Sequence, residues 1–446
     1  MLWLLYHDGG ISTRSSCWLE HYHRPISSGY VRVTEPEHQV FLGGIHKAWL
    51  GRGMRDTVPP MLPSPLADSE RELWSLPEDW VFLNPGSFGL RLREVQEARA
   101  ALLAEYEAQP VAFLERQAAE MAEEALESLS GFVGAQREGL AFVSNATEAI
   151  DAVLAGLGRR AGEGILIGEQ AYGAVRAAAQ HAARGHEVRI VPLELPVKDP
   201  SEIVAAWDVA LRPDTPLAIV DHITSGTSLV QPVAEIVSLC KARGVPVLID
   251  GAHAPGMLDL NIDQVGADWY AGNLHKWIGA PSGAGFLWTA PQHRGTTKPL
   301  AASHDVMGSY QEAFAWQGTR DITPWLTVPA AIAAVQQRWG WARLRAWQHE
   351  MAVWAGEQLA SAFGTEVSDG SGGEMTAAMV SARLPEAASA QYEDRFVFRD
   401  EIANRHRVEI AVDDLSGCWW ARLSFGAWNR CGDVQRAIEA VQDCLA

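Results

Sequence analysis

Cysteine is sparse in this chain of 446 residues: Cys17, Cys240, Cys418, Cys431 and Cys444 are odd in number and none are spaced as CxxC. That argues against a disulfide framework or a structural zinc site and makes a reducing cytoplasm the expected compartment. Positive charge is also short, with 36 Lys and Arg against 55 Asp and Glu and a net charge of -19. A polyanion would be approached against the protein's own field, so neither nucleic acid nor an anionic membrane is an expected partner. Long apolar runs are missing too. Met1-Leu2-Trp3-Leu4-Leu5-Tyr6 is short, has no basic residues before it and no cleavage-like segment after it, so neither a signal peptide nor a membrane span is expected. His21 and His23 have no further ligands beside them, and no metal is assigned.

The apolar content suffices for a large domain and a smaller one. Residues 1–79 show no sustained period and are broken by Gly, Ser, Pro and His. They read either as an irregular arm over a partner subunit or as sequence ahead of a start at Met54 or Met61. Residues 80–330 form the expected large domain. Its opening stretch, from about Arg91 to Leu129, is rich in Ala, Leu, Glu and Arg and reads as two helices that meet at Pro110.

From Gly139 to about Ala290, short apolar runs alternate with amphipathic stretches. Ala141-Phe142-Val143, Gly164 to Ile167, Val188 to Val191, Leu217 to Val220 and Val245 to Ile249 are followed or separated by helical patterns. This alternation predicts an α/β fold with a mostly parallel sheet covered by helices, its ligand at the carboxyl ends of the strands. Residues 331–446 read as a smaller α+β domain. It has a helix over Trp341 to Phe363, another over Phe396 to Arg405, short strands at Val408 to Val412 and Ala421 to Phe425, and a last helix from Asp433. The 18 tryptophans suggest an aromatic lining to the ligand pocket without locating it.

The most informative stretch is Gly272-Asn273-Leu274-His275-Lys276-Trp277-Ile278-Gly279. A lysine desolvated among apolar residues loses part of its preference for the ammonium form, and its neutral amine then attacks aldehydes. Four features accompany it. Ser144-Asn145-Ala146-Thr147-Glu148 joins a strand to a helix, where free N–H groups and the Thr147 hydroxyl suit a phosphate, or form an ordinary N-cap. Tyr172 opens the next helix, either stacking on a flat ligand or packing in the core. Asp250 ends an apolar run, where a buried carboxylate needs a cation such as a protonated pyridine nitrogen, unless it only forms a turn. His253 follows three residues later.

In this order the parts resemble the class V aminotransferase family of fold type I pyridoxal phosphate enzymes, and within it the isopenicillin N epimerase-like branch. The resemblance runs from about Leu83 to the C-terminus. It is carried by Leu83-Asn84-Pro85-Gly86-Ser87-Phe88-Gly89, Asn145-Ala146-Thr147-Glu148-Ala149, Asp250-Gly251-Ala252-His253-Ala254-Pro255-Gly256, His275-Lys276-Trp277, Gly318-Thr319-Arg320-Asp321, and Ala421-Arg422-Leu423-Ser424-Phe425 with Trp428-Asn429.

The resemblance implies that Lys276 carries pyridoxal 5'-phosphate and shuttles the α-proton. It implies that Asn145, Ala146, Thr147, Asn273 and His275 surround the phosphate, Asp250 pairs with the pyridine nitrogen, His253 touches the phenolic oxygen and Tyr172 stacks on the ring. Thr319 would complete the partner's phosphate site, which implies a homodimer, and Arg422 would hold the α-carboxylate of an amino-acid-type substrate. Epimerisation or transamination is expected ahead of β-elimination. Desulfurase chemistry ranks lower, because Cys418, flanked by Trp419 and Trp420, reads as packing rather than as a mobile nucleophile. A catalytically inactive binding module is the alternative that is not an enzyme.

Overall fold

Short, mostly apolar runs, buried along their whole length except at the edge strand Val188–Val191, build the central sheet. In the computed structural model, residues 62–157, 164–184, 187–415 and 417–446 are described. The expectations for Cys17, His21, His23 and most of the N-terminal extension therefore lie outside the described residues. The strands are β1 (Leu140–Val143), β2 (Ile165–Gly168), β3 (Val188–Val191), β4 (Ala218–Asp221), β5 (Val247–Gly251), β6 (Trp269–Asn273) and β7 (Gly285–Thr289). Their order is β1-β7-β6-β5-β4-β2-β3. The run from β6 to β3 is parallel, and β7 lies antiparallel between β1 and β6.

The period of two along each strand divides the core. Ile165, Ile167, Ile219 and Leu248 face one side, and Leu166, Val220, Val247 and Ile249 face the other. Helices α1 (Arg93–Ala108), α2 (Ala118–Val133), α3 (Ala146–Gly156), α4 (Gly173–Ala182), α5 (Pro200–Ala210) and α6 (Val233–Ala242) follow in the chain. α3 and α4 contribute to the first cluster, and α2, α5 and α6 to the second. α1 and α2 do not meet directly at Pro110. A π-helical turn, Phe113–Gln117, leads into α2 and buries Phe113.

The chain continues through α7 (Val328–Arg338), α8 (Trp341–Phe363), α9 (Arg395–His406) and α10 (Cys431–Leu445). A second, antiparallel sheet has the order β9-β10-β8, with β8 (Met379–Arg383), β9 (Ala411–Leu415) and β10 (Cys418–Ser424). Sequence reading did not anticipate β8, because Met-Val-Ser-Ala-Arg shows no strand period. Pairing with β10 and packing against α8 specify it: a Cβ on Gly356 would stand 2.8 Å from Val380 Cγ2. The strand expected at Val408 to Val412 is two pieces. Val408–Glu409 pairs with Val81–Phe82, and the remainder joins β9.

The described part of the N-terminal extension packs on this C-terminal region. Trp74 stacks on Trp339 with centroids 5.8 Å apart and meets Trp428 edge-on at 5.2 Å. Trp347 Nε1 donates to the Ser64 carbonyl at 2.9 Å. These rings fasten elements together, each aromatic pair adding about 0.5–1.5 kcal/mol beyond its buried area, and Trp74, Trp339 and Trp428 also line a small cavity with Lys276 and Trp277. No helix among the described residues is long and apolar enough to cross a membrane.

Candidate active site

β1 and β6 both run antiparallel to β7, so their carboxyl ends share one edge of the sheet with those of β5, β4 and β2. Lys276 lies just beyond β6, and the turn at Gly89 packs on its backbone. Gly89 has φ of +69°, and a Cβ there would stand 2.0 Å from the His275 carbonyl oxygen, so only glycine fits. Lys276 Nζ lies 3.1 Å from His253 Nε2. Trp277 Nε1 donates to His253 Nδ1 at 3.4 Å, which assigns the ring proton to Nε2. A proton there requires Lys276 to accept with a lone pair, as a neutral amine.

The electrostatics agree. Burial, and then the Arg422 charge, push Lys276 down to about 7, while Asp250 pulls it upward. Burial, Lys276, Arg422 and His275 together hold His253 well below the usual imidazole range. The neutral, nucleophilic amine is therefore populated as pH rises through about 7, where an ordinary lysine is still charged. Labelling of the cofactor-free protein with an amine-reactive reagent, mapped by peptide mass spectrometry, should reach half its plateau at Lys276 near pH 7. Half-labelling only in the ordinary lysine range would show the amine to be solvated.

Arg422 on β10 is 3% exposed. Nη1 donates to the Ser225 carbonyl at 2.7 Å and to Ser225 Oγ at 3.1 Å, and Nη2 donates to Asn84 Oδ1 and Ser87 Oγ, each at 3.1 Å. Its Nε–H, also buried, has no acceptor among the described residues. An anchored guanidinium with a spare donor suits a carboxylate. Asn84, Ser87 and Ser225 had no assigned role in the sequence reading; the first two belong to the quoted Asn84 to Gly89 motif, whereas nothing local marks Ser225.

A cavity of about 710 Å³ has Lys276, Arg422, Tyr172, Ser87 and Ser225 on its wall, with Glu409 and Arg399 further out. Trp80, Phe82, Phe88, Tyr172 and Phe396 give it an aromatic lining, of which Trp80 is the one tryptophan.

Asp250 is 5% exposed, and its Oδ1 accepts the Ala252 N–H at 3.0 Å. It has no ion-pair partner among the described residues. Burial pushes its pKa upward, against the pull of Lys276. Asp221 stands beside it in register, also buried. Burial and then Asp250 hold Asp221 well above the usual carboxylate range, and a cation beside Asp250 would relieve this pair of buried acids. His222 Nδ1 and Tyr270 OH, 2.7 Å apart, complete a buried polar group that the sequence did not reveal. Register across neighbouring strands creates it, and no local pattern signals it.

On the other flank, Asn145 caps α3 by accepting the Glu148 N–H at 2.9 Å. The Ala146 N–H donates to Asn273 Oδ1 at 2.8 Å. Asn145, Ala146 and Asn273 are thus brought together, with exposed Thr147 in the first turn and its N–H without an acceptor among the described residues. His275 is half-buried, its Nδ1 3.3 Å from the Ala284 carbonyl, and burial takes it down to about 4. Thr319 is exposed and is not on the wall of the Lys276 cavity; its neighbour Arg320 lies 3.9 Å from Glu148.

The model of the aminotransferase class-V family matches residues 88–436. The chain is 32% identical over 379 residues to isopenicillin N epimerase of Streptomyces clavuligerus, covering 81% of this chain and 94% of that protein. It is 29% identical over 400 residues to an L-cysteine desulfhydrase of Arabidopsis thaliana, covering 81% of this chain and 87% of that protein. In fold it is similar to a cysteine desulfurase from Thermococcus onnurineus NA1, with TM-score 0.69 over 86% of this chain and 99% of that chain, at 19% identity. The matched span takes in the central sheet, the lysine–histidine pair and the buried arginine, and the chain belongs to the aminotransferase class-V family.

Proposed function

We propose that this protein is a pyridoxal 5'-phosphate enzyme that moves the α-proton of an amino acid or small amino-acid derivative, with inversion at the α-carbon as the leading reaction. One observation carries the reading: a lysine driven toward its neutral amine shares a cavity with a buried guanidinium that has a spare donor. The cofactor fits the residues present. Asp250 is a buried carboxylate without a cation, and a pyridine nitrogen supplies one. The first turn of α3, with the Thr147 N–H and hydroxyl, suits the phosphate, while Asn145, Ala146 and Asn273 hold that loop in shape and His275 flanks it.

When bound, pyridoxal phosphate supplies an electron sink that acidifies the α-proton. Lys276 would hold the cofactor through its aldehyde, and its amine, driven toward the neutral form, is a base of suitable strength for the α-proton near neutral pH. His253 orients the amine through its Nε2 proton and stands ready for the cofactor's phenolic oxygen. Arg422, fixed by Ser225, Asn84 and Ser87, orients the substrate through its carboxylate. Tyr172 lies on the cavity wall, where its ring would stack on that of the cofactor. We assign Thr319 to the partner's phosphate site, which makes the enzyme a homodimer, and place the protein in the cytoplasm.

Epimerisation leads because the epimerase relative is covered almost end to end. Transamination shares the same first proton transfer. Elimination of a sulfur substituent is the second reading, favoured by the cysteine desulfhydrase relative. Cys418 is not on the cavity wall, which disfavours a persulfide-forming role for it.

The test is incubation of holoenzyme in D₂O with a panel of amino acids and S-substituted cysteines, read by chiral mass spectrometry with keto-acid and ammonia assays. Deuterium at the α-carbon with inversion is the expected outcome. Keto acid with ammonia from a cysteine conjugate would establish the lyase, and keto acid without ammonia transamination. Holoenzyme that exchanges no α-proton anywhere in the panel would refute the reading.

A further inference from the structure

We infer that Tyr172 is a second acid–base residue, exchanging a proton with the substrate α-carbon from the side away from Lys276; this rests on the proposal that the enzyme works at that carbon. Inversion by one base requires that base to cross the substrate plane, so a group on the opposite flank is the simpler arrangement. The topology provides two flanks. Lys276 follows β6 and Tyr172 follows β2, with β5 and β4 between them in the sheet. Three inter-strand steps separate the two strands by about 14 Å. Asp250 and Asp221 lie at the strand ends between them, and both Lys276 and Tyr172 line the same cavity. A ring anchored at Asp250 is thus approached from two sides.

Two of the other proton-bearing groups on that wall, Ser87 and Asp413, are engaged. Ser87 Oγ donates to Asn84 Oδ1 at 2.8 Å, and Ser225 Oγ accepts from Arg422 at 3.1 Å. Asp413 pairs with Arg395 at 3.3 Å, and Glu409, which burial pushes upward, has the Arg399 charge nearby. Tyr172 differs from all of these. It is 51% exposed, precedes α4 without capping it, and its hydroxyl has no hydrogen-bond partner among the described residues. Tyr172 shares the cavity wall with Arg422. A carboxylate held by Arg422 is one bond from the α-carbon, so a hydroxyl near Arg422 is also near the reacting atom.

The proton balance closes without a co-reactant. Lys276 takes the α-proton from one face. The Tyr172 O–H bond breaks as a new C–H bond forms on the other face, leaving an ammonium at Lys276 and a phenolate at Tyr172. Both return to their starting states by proton exchange with water at the open cavity, and the reverse reaction exchanges their roles.

Tyr172→Phe keeps the ring and removes the proton. Cofactor affinity, measured by fluorescence titration of the cofactor-free protein, should stay within about threefold of wild type. Exchange of the α-proton that faces Lys276 should persist in D₂O, while inversion falls at least about 100-fold. Tyr172→His restores an ionisable group and should recover part of the inversion. The inference is overturned if Tyr172→Phe inverts at close to the wild-type rate. It is equally overturned if exchange, inversion and cofactor affinity fall together, since the ring would then only seat the cofactor. Wild-type enzyme that exchanges without inverting would overturn the role of Tyr172 and leave the α-proton reading intact, whereas no exchange at all would remove both.

Discussion

Lys276→Ala is expected to reduce α-proton exchange by at least about 10⁴-fold, some 5.5 kcal/mol in activation free energy. Two losses combine: the covalent anchor for the cofactor and the base that receives the proton. Asp250 and the α3 terminus remain, so the variant should still take up pyridoxal phosphate, but only non-covalently and with the visible absorbance of free aldehyde. Stopped-flow exchange in D₂O and reduction with borohydride followed by mass spectrometry measure the two effects separately. A small exogenous amine should restore part of the exchange. Retention of more than about a tenth of the wild-type exchange would move the base elsewhere.

The same substitution carries a prediction about stability, and its sign follows from proton linkage. The folded lysine is held at about 7 and the unfolded one lies in the ordinary lysine range. Between those limits the unfolded chain binds the extra proton, so the residue destabilises the fold fully below about pH 7 and progressively less as pH rises through the ordinary range. Lys276→Ala in the cofactor-free protein should therefore melt no lower than wild type at pH 7. The residue is present at a cost in stability, as expected of a functional group.

Arg422→Met should raise the substrate KM by about 10²–10³-fold, equivalent to roughly 3–4 kcal/mol, while cofactor affinity changes little. A buried guanidinium held at four acceptor contacts is already oriented, so little of its freedom is lost when a carboxylate arrives. Arg422→Lys should recover only a small part, because a point charge on a flexible stem does not reproduce the planar fork. Removing the cation also relieves Lys276 of the second influence that lowers it, so half-labelling at Lys276 should move to higher pH in Arg422→Met. Leaving Asn84 Oδ1 and the Ser225 carbonyl without a donor should lower stability by about 1–3 kcal/mol, readable by urea unfolding. An unchanged KM for every responding substrate would remove Arg422 from the carboxylate site.

Asp250, His253 and Lys276 stand out for local reasons, a carboxylate ending an apolar run, a histidine three residues on and a lysine among glycines and apolar residues, whereas Arg422 is marked by the family resemblance, supported by the apolar strand it interrupts. The α/β class was legible on the same basis, since the alternation of strand and helix periods is written within windows of ten to twenty residues. Even where a local expectation needed refinement, as at the π-helical turn after Pro110, the displacement was a few residues.

The sequence by itself determined the periodicity, the fold class and the order of the motifs, and it marked Lys276 as the candidate lysine, because each depends on neighbours a few positions away. Tertiary structure alone decided the relations between distant segments. It inserted antiparallel β7 between β1 and β6, set Asp221 beside Asp250, brought Ser225 and Asn84 to Arg422 across 197 and 338 residues, and left the Tyr172 hydroxyl unengaged on the cavity wall. Strand register and side-chain packing are non-local, and they turn groups that are ordinary in isolation into a lysine with a neutral amine, a carboxylate in need of a cation and a guanidinium with a spare donor.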